Sequence, residues 1–126
     1  GIRNLRNLFP TKTIYCLESP PPVPSNSYLV SNIDSHIPLL FRKDVKRKGF
    51  SSYSLRYKLW KVHSELARDV CKKYNCKYFE APQEVFDKNK KLLKKYWWPD
   101  GVHAHAKYGA SLIKKIIEKV SNEASI

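Results

Sequence analysis

Asp100 and His103 stand three residues apart in the run Asp100-Gly101-Val102-His103, between an aromatic loop and an apolar helix. At that spacing one tight turn, eased by Gly101, folds the carboxylate back onto Nδ1–H of the imidazole and leaves Nε2 to take a proton. This is the acid-orients-base half of a Ser-His-Asp device. The plainer reading makes Asp100 a brace or cap of the following helix. It also makes His103 a surface or satisfied histidine, like His36 and His63. His105 is a competing base two residues on, but the three-residue turn favours His103.

The elements that must position this pair read as an alternation of helix and strand. Residues 1–9 carry Ile2, Leu5 and Leu8 at helical spacing, and Thr13 to Leu17 is a short apolar run that suits a buried parallel strand. Pro20, Pro21, Pro22 and Pro24 then stiffen a loop beside that strand's carboxyl end, where open α/β sheets bind ligands. Over residues 26–50 the pattern is weakest; Ile37, Leu39, Leu40 and Phe41 form an apolar cluster that suits a short helix, a lid or packing under the loop.

From Ser52 the period is strongly helical. Leu55, Leu59, Val62, Leu66 and Val70 recur at steps of three and four, which predicts a helix covering a sheet. Cys76 to Glu80 reads as a second strand, joined to the first by a parallel crossover. A short turn at Gln83 to Phe86, a Lys-rich excursion over Asp87 to Lys95 and the run Tyr96-Trp97-Trp98-Pro99 follow. The closing helix is expected over Ala104 to Val120, with Tyr108, Leu112, Ile113, Ile116, Ile117 and Val120 on its apolar face. Trp97 and Trp98 either line an acyl or aromatic pocket or simply pack.

Asp100-Gly101-Val102-His103, followed by Tyr108-Gly109 and an apolar helix, resembles the last sequence block of the SGNH (GDSL-type) hydrolases. The stretch Leu8-Phe9-Pro10 through Val23 is similar to that family's helix end, buried strand and proline-rich loop. The resemblance implies a three-layer α/β/α sandwich with a parallel sheet, flavodoxin-like in layout, of which residues 1–126 would be a single domain-sized C-terminal part. It implies hydrolysis of an ester, acyl or carbohydrate-linked acetyl group without metal or organic cofactor. Asp100 and His103 would be the catalytic acid and base. The family's Gly-Asp-Ser nucleophile block and its Gly-x-Asn-Asp block have no counterpart here, so the serine is expected in a missing N-terminal half. Ser19, Ser25, Ser27, Ser51, Ser52 and Ser54 lie in no Gly-flanked strand-to-helix elbow, and none is assigned as nucleophile.

Composition bounds the alternatives. A hydrophobic content of 42% with 13% aromatics belongs to a folded chain rather than a disordered one. No apolar run approaches the ~20 residues of a membrane helix. Cys16, Cys71 and Cys76 lack metal-type spacing and read as free thiols, which mildly favours a reducing, cytoplasmic setting. The net charge of +13 invites a second reading, a small basic protein binding nucleic acid or an anionic surface. Its lysines are spread over every helix, however, as on a solvated surface. A third reading is an inactive SGNH-like module kept for interaction.

Overall fold

Both runs that read as strands are strands, and they pair with each other. β1 (Tyr15–Leu17) and β2 (Lys77–Phe79) run parallel with Tyr15 opposite Lys77, Cys16 opposite Tyr78 and Leu17 opposite Phe79. A computed structural model describes residues 1–99 and 103–124, and among these the sheet has only those two strands.

The expected three-layer α/β/α sandwich is therefore corrected: the chain is mostly helical around a two-stranded parallel sheet. The physical reason lies in residues 26–50, which would have to supply further extended chain and instead turn helical. Ser25 accepts the Tyr28 N–H and starts α2 (Asn26–Ser31), and α3 (Ile33–His36) and α4 (Leu39–Lys48) follow it directly. Gly49, at φ 74°, ends α4 in a left-handed conformation that only glycine adopts freely.

α1 (Ile2–Leu8) is tied to the far end of the crossover by Arg6. Its guanidinium donates to the carbonyls of Tyr74 and Asn75 at 2.9 and 2.7 Å, and to that of Lys12 at 2.8 Å. α5 (Tyr53–Lys73) starts where the sequence places it, with the Ser52 hydroxyl accepting the Leu55 N–H at 3.2 Å. It ends at Asn75, left-handed at φ 53°, where Cys76 N–H returns to the Cys71 carbonyl at 2.7 Å.

α5 does not pack by its aliphatic stripe. Leu55, Leu59, Val62, Leu66 and Val70 are 39–60% exposed, whereas Tyr57, Trp60, Ser64, Ala67 and Cys71, also at helical spacing, turn inward. α6 (Ala106–Ala124) begins and ends a few residues later than expected. It buries Tyr108 and Leu112 but leaves Ile113, Ile117 and Val120 largely exposed.

Alternation along the strands separates the two long helices. Tyr15 and Lys77 reach Glu123 of α6 at 3.0 and 2.8 Å, and the Phe79 ring lies under Lys119. Tyr78, on the opposite face, lies under the Arg68 guanidinium of α5. The best-packed cluster joins Ala81, Val85, Leu92, Tyr96, Tyr108 and Leu112.

Candidate functional site

β1 and β2 end alike: Leu17-Glu18-Ser19-Pro20 and Phe79-Glu80-Ala81-Pro82 each place a glutamate just past the strand and a proline two residues later. Because Leu17 pairs with Phe79, the two glutamates leave the sheet side by side. Arg68, from the C-terminal third of α5, answers both, at 3.0 Å to Glu80 Oε1 and 3.8 Å to Glu18 Oε1.

Glu18 is only 7% exposed, so its charge needs partners within the protein. It has them. Ala81 N–H donates to Oε2 at 2.7 Å and Tyr78 Oη–H to Oε1 at 3.3 Å. Burial, with the nearby Glu18 charge adding to it, pushes the Tyr78 phenol up to about 12. Tyr108 is raised too, first by burial and then by Glu18, and its hydroxyl is buried without a hydrogen-bond partner. Glu18, Ala81 and Glu80 line a cleft of about 310 Å³ at the carboxyl ends of both strands. Tyr57 and Trp60 of α5 and Phe86 line its wall.

Trp60 holds the cleft to the proline loop, its indole N–H donating to the Ser19 carbonyl at 2.8 Å. The opposite rim is a tight loop built on Asp87. Its Oδ1 accepts the N–H groups of Asn89 and Lys91 at 2.8 and 2.9 Å, and Lys90 is left-handed at φ 59°.

Of the pair expected to carry catalysis, only His103 is described. Asp100, with Gly101 and Val102, lies outside the described residues. His103 is exposed in the bend before α6. His105 is committed to structure: its Nδ1 accepts the Lys107 N–H at 3.1 Å, capping α6, and its ring meets that of Trp98 at 6.1 Å. A neutral imidazole accepting at Nδ1 carries its proton on Nε2, so His105 does not present the free Nε2 of a Ser-His-Asp base.

Trp97 packs, donating to the Leu92 carbonyl at 2.8 Å and meeting Tyr28 edge-on, whereas Trp98 is 44% exposed. Ser25 and Ser52 cap helices, and Ser19, Ser27, Ser51 and Ser54 occupy no strand-to-helix elbow. Cys71 is buried, which together with the neighbouring Cys16 pushes its thiol up to about 11. All three cysteines are free thiols. Among the described residues no group of His, Cys, Asp or Glu is arranged to hold a metal ion, and no helix is long and apolar enough to cross a membrane.

Sequence reasoning missed Glu18, Glu80, Arg68 and Ser64. The signal for the glutamates was present, since Glu-x-Pro follows both apolar runs. Arg68 and Ser64 look like ordinary polar positions of α5 until the fold buries Ser64 and sets the exposed Arg68 beside the two glutamates. No family model, curated protein or solved structure matches the chain.

Proposed function

We propose that the chain carries the acid and base of a serine-type ester or acyl hydrolase, the activity implied by the resemblance of its Asp100-Gly101-Val102-His103 block to SGNH enzymes. The observation that supports this most is the difference between the two histidines of that segment. His105 is held at Nδ1 by the Lys107 N–H and packed against Trp98, which leaves the base role to His103, three residues after Asp100. In this reading Asp100 holds the Nδ1–H tautomer of His103. Nε2 takes the proton of a serine supplied by polypeptide outside residues 1–126 and returns it to the leaving group. The chain by itself then turns over no activated ester.

Two measurements test this. In long-range ¹H–¹⁵N spectra His103 should show the Nδ1–H tautomer and His105 the Nε2–H tautomer, with only His103 responding to Asp100→Asn. In a protein that includes the serine-bearing segment, His103→Ala should lower ester turnover by several decades and Asp100→Asn by roughly 10⁴-fold, while His105→Ala costs little. Equal losses at both histidines, or turnover by the chain alone that vanishes when one of its own serines is replaced, would sink the reading.

A further inference from the structure

We propose that the cleft at the carboxyl ends of β1 and β2 is a sugar-binding site that takes one neutral monosaccharide unit. Ser64 points to a ligand. The residue is 2% exposed, it lines the cleft, and its Oγ has no hydrogen bond of normal geometry, the Tyr78 phenol beside it being engaged by Glu18. A buried hydroxyl left unpaired is costly and is a group that a bound molecule satisfies.

Charge and shape decide the class of that molecule. The lining carries four carboxylates, Glu18, Glu65, Glu80 and Asp87, and three cations, Lys61, Arg68 and Lys90. A simple anion meets the carboxylates and a simple cation meets Arg68 and the lysines, so neither gains a one-signed field. A hydroxyl both donates and accepts, which suits a lining of mixed acceptors and donors. Arg68 and Glu80, linked at 3.0 Å, offer the two halves of such a contact side by side.

Apolar wall completes the match. Trp60 and Phe86, half-buried with centroids 6.4 Å apart, present ring surface to the cleft, and the Trp60 N–H is already taken by Ser19. Ring faces of this kind suit the C–H face of a pyranose. The volume of about 310 Å³ stands at the small end of ligand sites, roughly 300–1,000 Å³, room for one sugar ring rather than a chain. The proposal uses neither Asp100 nor His103, so it is independent of the hydrolase reading.

The test is binding without turnover, by saturation-transfer NMR and tryptophan fluorescence on the whole chain. The probes are glucose, galactose, mannose and N-acetylglucosamine, with choline and inorganic phosphate as cation and anion controls. A ligand of about a dozen non-hydrogen atoms should bind with a Kd on the order of millimolar and perturb Trp60 emission. Ser64→Ala removes an unpaired hydroxyl, so the variant should fold at least as well as the parent and bind about tenfold more weakly. Glu80→Gln should weaken binding to a similar degree. Trp60→Ala should abolish it. No saturation transfer from any of the sugars at roughly 50 mM would overturn the proposal. So would choline or phosphate binding in their place, or unchanged affinity in a folded Ser64→Ala protein.

Discussion

Residues 81–112 and residues 37–48 are both rich in apolar side chains, yet only the first stretch builds a core. In the first, Ala81, Val85, Leu92, Tyr96, Tyr108 and Leu112 are at most 9% exposed. In the second, Leu39, Leu40 and Phe41 are 54–82% exposed and α4 buries no residue. Backbone closure makes the difference. The first region is drawn together by Leu93 N–H to the Val85 carbonyl at 2.9 Å, the Phe86–Leu92 bridge and Trp97 Nε1–H to the Leu92 carbonyl. The second is held mainly by Arg42, which donates to the Ile37 and Asp34 carbonyls at 2.8 and 2.7 Å, and by exposed ion pairs to Asp34. Exposed pairs of that kind contribute little. Apolar content does not make a core unless the chain is also closed around it.

That contrast breaks most sharply at Leu92, 2% exposed. Leu92→Ala should cost about 2–5 kcal/mol, the transfer term plus the cavity, in urea unfolding followed by tryptophan fluorescence. Glu18→Gln comes next. It keeps the shape but removes the charge that Ala81 N–H, Tyr78 and Arg68 answer, and it should cost about 1–3 kcal/mol by the same measurement. A neutral result would separate the cleft from the packed cluster it adjoins.

Alkaline titration examines the two tyrosines that feel the Glu18 charge. Tyr78 and Tyr108 are raised above 10.0, chiefly by burial, so the folded protein keeps both phenols neutral while the unfolded chain loses their protons first. Their contribution to stability is complete below pH 10.0 and is lost as pH climbs toward about 12. Stability measured at intervals across that window should fall, with the slow-ionising phenols visible in ultraviolet absorbance. A flat profile would show that the two rings are not shielded from water. The smallest effect belongs to the other region: Leu40→Ala, at 82% exposure, should change stability by no more than about 0.5 kcal/mol. A loss comparable to that of Leu92→Ala would show that α4 is covered in solution and erase the contrast.

The two strand cores, the parallel pairing and the start of α5 at Ser52 were legible, because each rests on local signals: a β-favouring run bounded by proline, a cap, a 3.6-residue period. The sandwich was not. A stretch such as 26–50, with no clear period, takes its form from capping serines and short-range hydrogen bonds that leave little pattern in the residues. Of the proposed catalytic pair, the sequence argued for His103 over His105 by spacing, and the Lys107 N–H on His105 Nδ1 adds a reason that spacing does not contain.

By itself, then, the sequence determined where the chain extends, where α5 starts and that two glutamates follow two strands. Tertiary structure alone decided which of the two apolar arcs of α5 turns inward. Periodicity marks both Leu55-Leu59-Val62-Leu66 and Tyr57-Trp60-Ser64-Cys71 as apolar or neutral faces. The position of Glu18, Tyr78 and Glu80 beside the helix selects the second, because Arg68, exposed at the edge of that arc, reaches both carboxylates and the Tyr78 ring, and a rigid helix that sets Arg68 there carries its neighbours with it.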